Sequence, residues 1–257
     1  MARSCFALCA AAWLACAPPQ GDDAGATEGA VVSASSINGG STGAMVRETT
    51  GAGFRCVTGT WTVPDADPKQ AGEPWIYYGL GDENGVDMEA GMSFQRGDGT
   101  AAKPHRWLPY LRRGSTFIFG DESTRALPGA TFELELRLDD GRASLFRDGQ
   151  RITFVQRSSR VDSIAIPLDP ASAHVRRVVG QALSTPYHGE DLGRLGPVVF
   201  AHSRLCAADG GQPRFHDEAG WTDVRNGVLY GSVRFPSTRI THVYDANLDE
   251  DRITLFP

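Results

Sequence analysis

The sequence predicts an all-β chain folded as an antiparallel two-sheet β-sandwich. Three observations lead there: short apolar runs recur after residue 54 with turn residues between them, no long run repeats with helical spacing, and Asp-Gly pairs stand where tight hairpins need them. The composition allows a sizeable core. Of 257 residues 41% are hydrophobic and 22% charged, while 30 Gly and 15 Pro supply many turns. A formal net charge of -6 offers no positive field to neutralise phosphates, which argues against a nucleic-acid partner.

The first element is a leader. Arg3 precedes an apolar run over 6–15, the layout of a secretory signal, and the run is too short for a stop-transfer span. Residues 1–16 are therefore expected to be a signal peptide, leaving the rest of the chain outside the cytoplasm. Cys16 follows Trp13-Leu14-Ala15 and is a candidate lipidation site of the bacterial lipoprotein type, with simple cleavage near Ala15 or Ala17 as the alternative. A lipid on Cys16 is the one membrane attachment implied, so the expected location is secreted or lipid-anchored. Residues 17–50 are rich in Gly, Ala, Ser and Thr and poor in aromatic side chains, so burial cannot offset their conformational entropy and they read as a flexible tether.

The domain is expected over 51–257, with strands over 56–63, 75–81, 87–95, 106–111, 115–119, 131–138, 142–147, 150–156, 161–166, 175–180, 197–203, 228–235, 239–244 and 252–256. Two stretches carry the logic. Phe132, Leu134, Leu136 and Leu138 alternate with Glu133, Glu135 and Arg137, as in a half-buried antiparallel strand. Asp140-Gly141 and Asp148-Gly149 supply the positive φ that two-residue hairpins demand. The pattern as a whole is that of a jelly-roll, concanavalin A-like sandwich. Cys5, Cys9 and Cys16 belong to the leader, so Cys56 and Cys206 are left in the domain and are expected to form one disulfide in an oxidising compartment.

The segment over 86–95, VDMEAGMSFQ, is unusual. Alternation sets Val86, Met88, Ala90, Met92 and Phe94 on one face and Asp87, Glu89, Gly91, Ser93 and Gln95 on the other. In a groove, the paired carboxylates Asp87 and Glu89 can do acid and base work, with Ser93 and Gln95 as binding groups; on an open face they are simply solvated. Trp61 and Trp75 lie in apolar runs and are expected in the core, whereas Trp107, between Arg106 and Pro109, reads either as core or as a groove platform. No cofactor is implied. The six His, at 105, 174, 188, 202, 216 and 242, show no zinc spacing, and 245–251 imitates a calcium loop but has Glu250 where the sharp-turn Gly belongs. No phosphate loop occurs.

Val57-Thr58-Gly59-Thr60-Trp61-Thr62-Val63-Pro64, then Trp75-Ile76-Tyr77-Tyr78-Gly79-Leu80-Gly81, then Met88-Glu89-Ala90-Gly91 resemble the opening of the glutamic peptidases, or eqolisins, with their "SGTWTVP" and "WVGIDG" strands and a third strand bearing the catalytic Gln. Arg106-Trp107-Leu108-Pro109 is similar to the family's "WYEWYP" segment, Gly196-Pro197-Val198-Val199-Phe200 to its "FGTVTF" strand, and 239–256 to its closing hairpin. The resemblance implies a bent sandwich with a groove for a peptide substrate on one face. It also implies a Glu acting as base on water beside a Gln that steadies the oxyanion. Here Glu89 stands at the Gln. The family's "SAEWIVE" strand is matched by 172–179, which puts His174 at the catalytic Glu, or Arg176 or Arg177 in a shifted register, and none of these is a carboxylate.

Glu89 with His174 or Arg176 is then either a structural ion pair left where a dyad was, or a new acid and base couple. The leading expectation is a degenerate glutamic-peptidase-like sandwich that binds extended peptides. The rivals are an active hydrolase, acid peptidase or glycosidase, using Glu89, and a lectin-like module for polysaccharide. One prediction belongs to the sequence alone: digestion of the unreduced protein should release a cross-linked pair of peptides carrying Cys56 and Cys206, and titration of two free thiols per folded chain would refute the bridge.

Overall fold

A computed structural model describes residues 27–28, 42–67, 72–156, 158–183, 193–219, 221–226 and 240–255. The leader with Cys16, and the strand expected over 228–235, lie outside these residues. The strands are β1 (Thr27–Glu28), β2 (Thr42–Ala52), β3 (Phe54–Thr62), β4 (Ala66–Asp67), β5 (Gly72–Gly81), β6 (Asp87–Gln95), β7 (Arg106–Arg113), β8 (Thr116–Gly120), β9 (Thr131–Asp139) and β10 (Arg142–Arg147). They continue as β11 (Gln150–Arg151), β12 (Phe154–Gln156), β13 (Ser159–Val161), β14 (Ile164–Ala165), β15 (His174–Leu183), β16 (Arg194–Ala207), β17 (Trp221–Asn226), β18 (Ile240–Asp245) and β19 (Glu250–Leu255). One short helix, α1 (Phe215–Glu218), lies between β16 and β17.

The strands form two antiparallel sheets. A ten-stranded sheet runs β1-β18-β19-β16-β3-β9-β10-β11, with β14 beside β10 and β4 beside β16, and a nine-stranded sheet runs β13-β12-β8-β7-β6-β5-β15-β2-β17. Period-2 patterning decides which faces meet. On β9, Phe132, Leu134, Leu136 and Leu138 turn into the core, and on β6 Met88, Ala90, Met92 and Phe94 do so from the other sheet. Asp140-Gly141 and Asp148-Gly149 hold φ of 49°, 68°, 51° and 73°, as the tight β9–β10 and β10–β11 hairpins require. Trp61 of β3 lies edge-on to Tyr78 of β5 at 4.8 Å and to Phe200 of β16 at 5.1 Å, tying the sheets together at their centre. Cys56 and Cys206 face each other across β3 and β16 and are disulfide-bonded, closing a loop 150 residues apart in sequence.

A guanidinium is buried in this core. Arg177 of β15 donates from Nε to Glu48 Oε2 of β2 at 2.7 Å, pairs with Asp251 of β19, and is sandwiched between the rings of Phe200 and Phe215 at 4.7 and 4.6 Å. His242 Nε2 of β18 lies 3.0 Å from Asp251 Oδ1 and 3.7 Å from Glu48 Oε1. Burial alone would lower the Arg177 pKa; Asp251 and Glu48 reverse that and raise it.

The expected tether over 17–50 contains two strands: β1 at Thr27–Glu28 pairs with β18, and β2 begins at Thr42. Thr42–Ala52 is an internal strand, paired with β15 on one side and β17 on the other, and Glu48 is 1% exposed. Composition misjudged it because β2 buries few apolar side chains, Met45 and Val46, and beside them a salt bridge whose partner lies 129 residues away. Replacing the carboxylate with Glu48→Ala leaves Arg177 under-paired in the core and should cost about 3 to 5 kcal/mol in urea unfolding, and deleting residues through 50, which removes most of an internal strand as well, should cost more; a midpoint equal to wild type for either would contradict the buried pair.

Candidate functional site

The nine-stranded sheet turns its other face outward, and its register builds an ordered grid there. Glu89 of β6 stands beside Gly79 of β5, and Gly79 beside Arg176 of β15. On the other side Glu89 is paired with Arg112 of β7, and Arg112 with Phe117 of β8. Glycine at 79 matters because a Cβ there would lie 3.0 Å from an Arg176 guanidinium nitrogen: the Arg176 side chain lies flat over the gap. His174 lies over Gly81 in the same way, its Nε2 3.2 Å from where a Cβ would be.

Each carboxylate on this face is held by its own guanidinium. Arg112 donates from one nitrogen to both Glu89 oxygens, at 3.0 and 3.2 Å, and from Nε to Gly114 O at 3.0 Å. Arg176 pairs with Asp87, one contact being 3.2 Å. Glu89 is 14% exposed, and burial raises its pKa above the ordinary 4.5, with Arg112 pulling the other way and losing. Burial, then the charge of Arg176, lowers the pKa of His174. The two carboxylates and Arg112 border a cavity of about 800 Å³ at the end of the sandwich, completed by Arg113, Ser115 and Gln156 among others.

The aromatic side chains of this face are not those the sequence pointed to. Trp107 is 0% exposed and donates its Nε1–H to Pro64 O at 2.9 Å, so it belongs to the core and is no platform. Trp75, expected inside, takes the outer face instead: it packs edge-on against Tyr110 at 4.9 Å and against Phe117 at 5.6 Å, reaching across β6. Gly91 lies directly between Tyr77 and Tyr110 in the ladder, and a Cβ there would come 2.1 Å from Ile76 O, so no side chain fits. Ser93 is on the expected face but covered at 2% exposure; it accepts a hydrogen bond from Gln95 Nε2 at 3.1 Å.

Among the expected residues, then, Glu89, Arg176, Asp87 and His174 share one end of the face, Gln95 and covered Ser93 lie at the other, and Trp107 is removed to the interior. Arg177, the other shifted-register candidate, points the opposite way into the core. Arg112 was missed. The alternation of Arg106, Leu108, Tyr110 and Arg112 in β7 contains the signal, but only with the β6–β7 hairpin register does it set Arg112 opposite Glu89. The acidic segment 245–251 does not converge on one point: Asp245 accepts from Asn247 and Leu248 amides, Asp249 from Arg204, and Asp251 holds Arg177. Glu48, His216 and Asp251 offer ligand atoms within 4.8 Å of one another, yet Arg177 is already their cation.

No family model and no curated protein matches this chain. Among solved structures, Scytalido-glutamic peptidase with a peptide-based transition state analog overlaps with a TM-score of 0.45 at 14% identity, covering 85% of this chain and 98% of that one. SCP-B, a member of the Eqolisin family in complex with a tripeptide, gives a TM-score of 0.34 at 13% identity over 85% of this chain and 98% of its own. A β-1,3-glucanase from Mycobacterium marinum gives 0.33 at 12% identity, covering 80% and 64%. At these values the likeness is one of sandwich architecture and assigns neither residues nor activity.

Glu89 yields a pH-dependent prediction. Its folded pKa is raised, so the native state holds a proton that the unfolded chain releases, and native stability falls as pH rises from about 4.5 through the raised value. Glu89→Gln does not titrate. Relative to wild type, the variant should gain melting temperature as pH rises above about 4.5 and keep a constant difference below it. A difference independent of pH would show that Glu89 is an ordinary surface carboxylate.

Proposed function

We propose that this chain is an exported, non-catalytic sandwich of glutamic-peptidase type that binds an extended peptide across the outer face of its nine-stranded sheet. Export is supported by the leader pattern over 1–16 and by the Cys56–Cys206 bridge.

The observation that carries the non-catalytic reading is that Glu89 stands between two guanidiniums, Arg176 across Gly79 and Arg112 on the adjoining strand. Dyad chemistry of the kind the resemblance implies needs a carboxylate to take a proton from water. A guanidinium cannot take it at any accessible pH, and Arg176 is further committed to Asp87. Glu89, engaged at both oxygens, offers no amide to an oxyanion. Recognition needs less. An extended segment presents alternate side chains to one side, which suits a face where a polar cavity adjoins an aromatic strip.

A second reading is favoured by one observation, the raised pKa of Glu89 beside Asp87 on the same strand face. A carboxyl whose acid form is favoured by burial, beside a second carboxyl, is the pattern of glycoside hydrolysis. The pairing of each with its own arginine ranks it below the first.

An assay on denatured protein substrate, from acidic to neutral pH, separates these readings. No endopeptidase activity is expected from the wild type or from Glu89→Gln, because the amide alone leaves water without a base. Glu89→Gln combined with Arg176→Glu is the variant expected to gain activity, whereas His174→Glu in place of Arg176→Glu is not, since His174 stands one ladder step away beside Gly81. Robust wild-type cleavage that vanishes in Glu89→Ala would sink the non-catalytic reading.

A further inference from the structure

Two carboxylates are shut into the core, and a single guanidinium faces them. Glu48 is 1% and Asp251 3% exposed. Arg177 engages one oxygen of each, Glu48 Oε2 and Asp251 Oδ2. The second oxygens, Glu48 Oε1 and Asp251 Oδ1, turn instead toward His242 of β18, whose Nε2 lies 3.7 and 3.0 Å from them. Arg177 balances one of the two negative charges, and among the described residues no second arginine or lysine pairs with either carboxylate.

The other groups packed on this cluster do not supply the missing charge. From β5 comes Tyr78, which burial keeps in its neutral form by raising its pKa, and from β16 comes Ser203, whose hydroxyl accepts from Arg177 at 3.3 Å. Tyr244, on the same strand as His242, donates its hydroxyl to Asp249 at 3.2 Å, and β1 places Thr27 opposite His242 in the ladder. His216 of α1 has a ring nitrogen within 4.8 Å of both carboxylates, beyond hydrogen-bond reach at that limit, and its ring is stacked on Tyr244 at 3.5 Å.

A carboxylate buried without a counter-charge is expensive, so either an acid in the cluster takes up a proton or a base does. Burial pushes Asp251 toward its acid form, but the charge of Arg177 and then the hydrogen bond to His242 outweigh it and hold the group at about 2. Asp251 therefore stays ionised. A divalent metal would bring two positive charges where one is lacking.

We infer that the second cation is His242 as the imidazolium, whose proton bridges Asp251 and Glu48 and clamps the two sheets together until alkali removes it. Glu48 and Arg177 belong to the nine-stranded sheet, while Asp251 and His242 belong to the ten-stranded one, so the clamp spans the sandwich. Its sign follows from linkage. The native cluster holds the proton more firmly than the unfolded chain does, so the stabilisation is complete on the acid side of the histidine range and is lost as pH rises through it. The device is independent of what the outer face binds.

Nuclear magnetic resonance of the isotope-labelled full chain tests the protonation. At about pH 7.5 both ring nitrogens of His242 should carry hydrogen, whereas the histidines of the same chain in urea should be mostly neutral. Urea unfolding then tests the clamp. The factor by which His242→Gln raises the unfolding constant over wild type should be about tenfold or more larger at about pH 6 than at about pH 9. Both chains carry Glu89 and the other histidines, so their titrations cancel in that ratio. His216→Gln should give a factor that is constant within about twofold over the same range. A neutral His242 ring at about pH 7.5, a His242→Gln factor independent of pH, or a pH-dependent factor that belongs to His216→Gln would each overturn the inference. So would equimolar zinc raising the wild-type melting temperature by more than about 5 °C, which would give the place to a metal. If His242→Gln does not fold, the ring protonation in the unmodified chain decides alone.

Discussion

The buried guanidinium of Arg177 sets the register on which the rest of this sandwich depends. Taking a charge out of water is tolerated here because two carboxylates from different sheets and two aromatic faces replace its hydration. Such a cluster is a poor source of net stability compared with hydrocarbon of the same volume, but it is exacting about position. A slip of one residue in β15 would drive Arg176 inward and leave Glu48 and Asp251 facing Val178 or the wrong arginine. The same alternation that buries Arg177 therefore delivers Arg176 to the outer face, level with Glu89. Core electrostatics and site geometry are two readings of one strand register.

What the sequence made legible follows the range of the interactions. The faces of β6, the alternation of β9 and the two Asp-Gly hairpins depend on neighbours a few residues away, and all are present in the structure as read. β2 was illegible because its segment, with Arg47, Glu48 and flanking Gly, looks solvated until Arg177 is supplied from far along the chain. Trp75 failed for another reason. Residues 75–80, WIYYGL, are apolar or aromatic at nearly every position, so period-2 reasoning finds no phase, and only the ladder with β6 decides that Ile76, Tyr78 and Leu80 face the core. Trp107 shows the converse: Pro104 and Pro109 obscured an alternation that the structure keeps.

The outer face differs from an open groove in that the protein fills part of it with its own side chains. Arg176 lies over Gly79, His174 over Gly81, and Trp75 crosses β6 at Gly91 and Ser93 to reach Tyr110. Glycines that leave room for a substrate in an enzyme can equally leave room for flat side chains, and here they do the second. The result is a surface with ion-paired charges at one end and rings beside them, on which the protein's own side chains occupy the space above its glycines.

The place of β2 has a consequence for how the molecule is made. It is the first long strand in the described chain, yet its ladder partners are β15 and β17, at 174–183 and 221–226. A polypeptide emerging amino end first must hold β2 unpaired until β15, at 174–183, has followed, and its second edge unpaired until β17, at 221–226. Assembly is thus deferred rather than progressive, with the β5 edge that β15 will cover left open in the interval. In that interval the bare β5 edge is open to pairing with another chain, which is what a holding chaperone guards against.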